Sequence, residues 1–347
     1  LKAPENGYPD TPDQKVLDHV RELALVFLYR LLFVLKAEAQ NLLPMRDALG
    51  QETRYAKFVS TRKLFEQLEA ISPYDRSQVD VGYRNLQQLF QLVDRGGASY
   101  DVPAYNGGLF DSELHADLDR LTLRDEVLHR VLGMLIYVGG QTDNPVPYED
   151  LDVRDFGDIY EGLLEQRLVA DTVDGCVEFA LKNENGERKA SGSYFTPDDL
   201  VEQIVDRVVA PLLDAAGNDV ERILSLRIVD PAMGSGHFLV KVVDRIAWRL
   251  TLRCDPPDPE APRDNGPEEY AYWKRRVVEH CIYGVDVNPM AVELAKVALW
   301  LHTASRGKAL SFLDHHLKCG NTLVGTRLAN LTDPPLRSKQ TKKGPTW

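Results

Sequence analysis

The stretch Ile228-Val229-Asp230-Pro231-Ala232-Met233-Gly234-Ser235-Gly236-His237-Phe238-Leu239 decides the reading of this chain. An apolar strand ends in an acid, a Gly-x-Gly turn follows, and a helix opens behind it. In a doubly wound sheet such a turn lies at the carboxyl end of a strand, where ligands bind. Gly234 and Gly236 carry no Cβ, so a ligand can approach the backbone, and the helix N-terminus favours a negative group. Alone, the stretch also fits a tight strand-to-helix turn with no ligand. It is a poor dinucleotide fingerprint, because Leu239 stands where a third small residue belongs. The acid closing the next strand, Asp286, also lies far beyond the ~20-residue separation of such sites. An acid directly before the turn repels a pyrophosphate and suits a cationic centre or an amine.

Around this stretch the pattern alternates between helix and strand. Pro197–Ala215 reads as an amphipathic helix, with Thr196 as candidate N-cap, Pro197 at the first helical position, and Asp198 and Asp199 in the first turn. Leu226–Asp230 reads as a short buried strand and Gly236–Arg253 as a helix. Residues 254–269 hold five prolines, too many for either element. A helix at Glu269–Glu279, a strand at Cys281–Asp286, a helix at Pro289–Ala304 and a strand edge at Leu317–Leu323 follow. This order predicts a parallel sheet with crossover helices.

Residues 1–150 read as mostly helical. Apolar residues recur at helical spacing over Lys15–Gln40 (Val16, Val20, Leu23, Phe27, Leu31, Val34, Leu35), with Pro44 just beyond. Further helices are expected at Arg62–Ala70, Asn85–Val93, Arg124–Val138 and 155–169. Tyr105–Phe110 reads as a turn, because Asn-Gly-Gly accepts positive φ cheaply. Thr172–Leu181 alternates weakly, as a strand or hairpin does. The expected division is a helical domain over 1–170, an α/β domain over 171–330 and a linker over 331–347. The start at Leu1 and the close on Lys342-Lys343-Gly344-Pro345-Thr346-Trp347 read as part of a longer protein.

The composition is that of a globular chain: 347 residues, 44% hydrophobic, 27% charged, net charge −12. That acidity argues against a nucleic-acid surface along the whole length, though not against a local basic groove. The longest apolar run, Leu23–Leu35, is interrupted by Arg30 and falls short of the ~20 residues of a membrane span, so it reads as a core helix. No signal peptide is recognisable. The scattered Cys176, Cys254, Cys281 and Cys319 form no CxxC pair and fit a reduced, cytoplasmic compartment without a zinc site. His302, His315 and His316 lack ligating partners at metal spacing. His237 reads as non-catalytic, and Tyr272 and Trp273 as core.

Two flanking segments narrow the chemistry. Ser191-Gly192-Ser193-Tyr194-Phe195-Thr196-Pro197 stands upstream, and Tyr283-Gly284-Val285-Asp286-Val287-Asn288-Pro289 downstream. With the Asp230–Leu239 loop they resemble, in order, the three cofactor segments of adenine-specific (N6) DNA methyltransferases. The resemblance widens through Arg30–Ala39, Tyr105–Phe110, Asp158–Leu164, Ala291–His302 and Lys318–Gly325. There the chain is similar to the large fused methyltransferases of type IIG restriction–modification and of BREX and DISARM phage defence.

The resemblance implies a partial Rossmann-like class I methyltransferase sheet preceded by a helical domain. It implies S-adenosyl-L-methionine as cofactor, double-stranded DNA as substrate, and defence-system subunits as further partners. Carried over, Tyr194, Phe195, Thr196 and Pro197 line the methionine end. Asp230 faces the ammonium or sulfonium side, and Pro231, Ala232, Gly234, Ser235 and Gly236 form the loop beneath. Asp286 accepts the ribose hydroxyls, Val287 and Pro289 flank the adenine, and Asn321 accepts its amino group. Simpler roles stand beside these: Tyr194 and Phe195 as core aromatics, Asp286 as the cap of the Pro289 helix.

The family's Asn/Asp/Ser-Pro-Pro-aromatic catalytic loop has one weak counterpart, Asp333-Pro334-Pro335-Leu336, which lacks the aromatic and reads as a surface turn. Arg337, Lys339, Lys342 and Lys343 beside it read as a solvated basic tail. The catalytic loop is therefore expected beyond residue 347, and the catalytic residues stay unassigned. The competing expectation is a cofactor-binding scaffold that cannot methylate by itself.

Overall fold

A computed structural model describes residues 6–9, 11–105, 108–140, 142, 144–151, 153–164, 166–173, 176–183, 196–258, 261–263, 265–303 and 311–324. The architecture is mixed α/β, mostly helical with two small sheets. The N-terminal half holds α1 (Gln14–Ala39), α2 (Arg54–Phe58), α3 (Thr61–Glu69), α4 (Pro73–Arg76), α5 (Val81–Arg95), α6 (Ala116–Arg120), α7 (Asp125–Ile136) and α8 (Val153–Leu164). A hairpin follows, β1 (Gln166–Val173) with β2 (Cys176–Asn183), paired antiparallel from Gln166↔Asn183 to Val173↔Cys176. The sequence read residues 155–169 as one helix; instead the helix stops at Leu164 and Gln166–Val169 are strand. β1 is held against α1, where the Gln14 amide donates to the Leu168 carbonyl at 3.0 Å.

The second half holds α9 (Asp198–Ala216), α10 (Val220–Leu224), β3 (Ile228–Asp230), α11 (His237–Arg253), α12 (Pro267–Cys281), β4 (Ile282–Asp286), α13 (Pro289–His302) and β5 (Leu317–Cys319). The three strands are parallel in the order β3-β4-β5, as the alternating pattern predicts. β4 is therefore central, and the tips of β3, β4 and β5 end side by side. β5 is shorter than expected: its last bond to β4 is that of the Gly320 N–H to the Asp286 carbonyl at 2.8 Å.

α1 is the pillar of the helical half. Asp13 caps it through the Val16 N–H, and its second half is buried on every side. Arg30 sits in that buried stretch without breaking it: Nε donates to the Leu109 carbonyl at 2.8 Å and Nη1 pairs with Asp119 at 3.2 Å. The Phe90 and Phe110 rings flank the guanidinium. α5 starts at Val81, four residues before the expected start at Asn85. Its first N–H groups are satisfied from afar, since the Asp125 carboxylate accepts from Gly82 and Tyr83 at 3.0 and 3.1 Å. A cap supplied from α7 leaves no local signal.

The two halves share one core. Trp300 of α13 stacks on Phe33 of α1 with centroids 5.0 Å apart and meets Tyr105 edge-on at 4.7 Å. Tyr105 in turn donates to the Leu42 carbonyl at 2.7 Å. Tyr105 thus helps dock the helical half onto the helix that follows β4. Gly108 matters here: a Cβ would stand 2.5 Å from the Glu293 carboxylate of α13. No helix among the described residues is long and apolar enough to cross a membrane.

Candidate functional site

Each strand tip carries a loop, and the loops are knitted around Asp286. One of its carboxylate oxygens accepts the Gly234 N–H from the β3 loop at 2.9 Å, and the other accepts the Asn288 N–H at 2.9 Å. The helix cap that Asp286 offered in sequence is supplied instead by Asn288, whose Oδ1 accepts the Met290 N–H at 3.0 Å. A carboxylate has room for about four hydrogen bonds, so Asp286 keeps acceptor capacity.

The glycine loop is set from below. Met233 is buried; its N–H bonds the Val285 carbonyl at 3.1 Å, and its sulfur occupies the space beside Gly284, where a Cβ would stand 2.2 Å from Sδ. Gly234 and Gly236 have φ of 55° and 89°, a region that favours glycine. Gly236 lies against Ala295, whereas a Cβ on Gly234 would meet nothing within 4 Å. The loop is packed on its α13 side and open above Gly234.

Asp230 stands at the neighbouring tip. Its carboxylate accepts the Ala232 N–H at 3.0 Å. Burial pushes its pKa up and the negative Asp286 adds to this, while the Ala232 hydrogen bond opposes it. A half-buried carboxylate with one backbone donor and a like charge nearby is short of a positive partner.

The third loop crosses over the other two. The Cys319 thiol points at the Val287 carbonyl at 3.6 Å, and the Thr322 hydroxyl donates to the Pro231 carbonyl at 3.0 Å. Asn321 Oδ1 accepts the Leu323 N–H at 2.9 Å, so part of its acceptor capacity serves its own turn. Val287 is 60% exposed beside the tips.

Of the residues singled out in sequence, the fold gathers Asp230, Pro231, Ala232, Gly234, Ser235, Gly236, Asp286, Val287 and Asn321 at one end of the three-stranded sheet. Tyr194 and Phe195 lie outside the described residues, as does Asp333–Leu336. Thr196 is not a cap: α9 is capped by Pro197, without a side-chain hydrogen bond. Asp198 does more than greet a helix terminus, since it lies 2.7 Å from His237 Nε2 and 3.9 Å from Lys241 Nζ, tying α9 to α11. His302 is satisfied by Asp244 at 2.7 Å and His316 by the Ile282 carbonyl at 2.7 Å. Trp273 is core. Sequence reasoning missed Met233, Gly284, Asn288 and Thr322. The Met233–Gly284 fit carries no local signal, while Thr322 was visible only as a neighbour of Asn321.

The chain has likenesses among known proteins. Residues 152–324 match the family model described as N-6 DNA Methylase. A Methanocaldococcus jannaschii protein named as a type II restriction enzyme and methyltransferase is 24% identical over 90% of this chain and 28% of its own length. The adenine-specific methyltransferase PglX of Streptomyces coelicolor is 23% identical over 88% of this chain and 22% of its own length. The chain thus spans about a quarter of the length of the curated relatives it matches. Among solved structures, the type IIL restriction–modification enzyme MmeI in complex with DNA aligns at 14% identity and a TM-score of 0.48, over 90% of this chain and 39% of its own.

Proposed function

This chain belongs to the N-6 DNA methylase family through residues 152–324, and from that premise we propose that it holds the S-adenosylmethionine-binding part of an enzyme that methylates adenine N6 in DNA, within a restriction–modification or phage-defence system. The observation that carries the reading is the convergence of Asp230, Asp286 and an open Gly234 loop at adjacent parallel strand tips. Carboxyl ends of parallel strands are where such sheets take ligands.

The residues fit the cofactor on chemical grounds. Asp230 is a half-buried acid in want of a cation, which an ammonium or sulfonium centre provides. Asp286 offers its remaining lone pairs to a vicinal diol while its backbone bonds keep the carboxylate from turning away. Val287 offers an exposed apolar face to a flat base. When bound, the cofactor supplies an electrophilic methyl group; this chain's part is to bind and orient it. The groups that hold the target amine in line are proposed to lie in the longer protein.

Full-length protein incubated with tritiated S-adenosylmethionine and unmethylated DNA should place label in N6-methyladenine. Label in cytosine would refute the base assignment. Cofactor binding without transfer by the full-length protein would favour a scaffold role.

A further inference from the structure

We propose that Thr322 is a positioning residue for the cofactor: its hydroxyl, reaching from the β5 loop to the Pro231 carbonyl, fixes the peptide plane whose other end holds the Asp230 carboxylate. This rests on the proposed reading of the strand-tip site. The Pro231–Ala232 peptide unit is used at both ends. Its carbonyl accepts from Thr322 at 3.0 Å, and its N–H donates to Asp230 at 3.0 Å. A peptide unit is rigid, so the two bonds share one orientation, and losing one frees the plane to turn away from the other. The proline ring fixes φ at Pro231, which leaves its ψ as the soft torsion, and the Thr322 bond sets that torsion.

Thr322 itself is held in place by its own loop. The Gly320 N–H bonds the Asp286 carbonyl at 2.8 Å, and the Asn321 side chain closes a turn on Leu323 at 2.9 Å. The segment from Gly320 to Thr322 therefore spans from the middle tip to the β3 tip. Asp286 and Asp230, already joined through the β3–β4 ladder and the Met233 and Gly234 N–H bonds, gain a further connection through the β5 loop. A bound nucleoside that touches both acids needs their separation fixed in advance, which is what preorganisation supplies.

The test is calorimetric titration of the protein with S-adenosylhomocysteine, using Thr322→Val, Thr322→Ala and Thr322→Ser, with melting temperature followed in parallel. Thr322 is exposed, so its removal should leave the melting temperature unchanged. The expected result is affinity about 5- to 10-fold weaker for Thr322→Val and Thr322→Ala, the value of one hydrogen bond. Thr322→Ser should return to within about twofold of the parent, because it keeps the hydroxyl. Unchanged affinity in Thr322→Val would overturn the inference and leave the cofactor reading standing. Equal weakening in Thr322→Ser would also overturn it, since the hydroxyl would then not be the agent. A parent protein that does not bind S-adenosylhomocysteine would overturn both.

Discussion

Glu38 in the helical half and Asp230 at the β3 tip are both carboxylates removed from water, yet the chain treats them differently. Glu38 is fully enclosed and accepts from the Tyr55 hydroxyl, the Thr61 N–H and the Thr61 hydroxyl. Burial pushes its pKa up, and those three donors oppose the shift. Asp230 accepts one backbone N–H and faces a second acid. The helical half meets this carboxylate with three donors, whereas the β3 tip gives Asp230 one. The difference is between a carboxylate that the fold satisfies and one that it leaves short of donors, and it can be broken by substitution.

The largest effect should come at the joint between the halves. Trp300→Ala removes a ring packed on Phe33 and Tyr105 and should cost about 3–5 kcal/mol in urea unfolding. Because one core spans both halves, the loss should appear as a single transition shifted to lower denaturant. Glu38→Ala should cost about 3 kcal/mol, since it strands buried donors on Tyr55 and Thr61. Its affinity for S-adenosylhomocysteine should stay that of the parent, measured at a temperature where both are folded; a matching loss of binding would erase the contrast.

Gly284→Ala acts on both sides of the contrast. The new methyl group competes with Met233 Sδ for the same space, which should cost about 1–3 kcal/mol and lift the glycine loop. Thermal melting and cofactor titration should both register it.

Asp230→Asn should show the smallest effect on stability and the most telling one. Asparagine keeps an oxygen for the Ala232 N–H but removes the half-buried charge. The Asp230 carboxyl titrates above its ordinary value of 3.8 in the folded protein, so ionising it opposes folding. That penalty is absent below the ordinary pKa and develops as pH rises through the raised one. The variant should therefore melt higher than the parent near neutral pH, by an amount that shrinks towards about pH 4. Its cofactor affinity should fall.

Much of this was legible in the residues. The Ile228–Leu239 stretch predicts a strand, a turn and a helix, and the fold has β3, the loop and the start of α11 there. Asp230 and Asp286 were expected at neighbouring strand ends and stand at the tips of paired strands. What stayed hidden depends on distant partners. The start of α5 is fixed by Asp125, some forty residues away. Thr322 acquires its role only because the β5 loop crosses to Pro231. The boundary at Leu164 escaped because the sequence has no glycine or proline between Leu164 and Gln166, and the choice of strand rests on pairing with β2. Local pattern finds elements; contacts made across the chain decide where they stop.

The central claim is that the space between Asp230 and Asp286 holds a sulfonium nucleoside. The direct measurement is a crystal structure of this protein with S-adenosylhomocysteine. The account predicts the ribose hydroxyls on Asp286, the amino-acid end beside Asp230 and the adenine against Val287. Density for the ligand elsewhere, with the strand tips unoccupied, would contradict it.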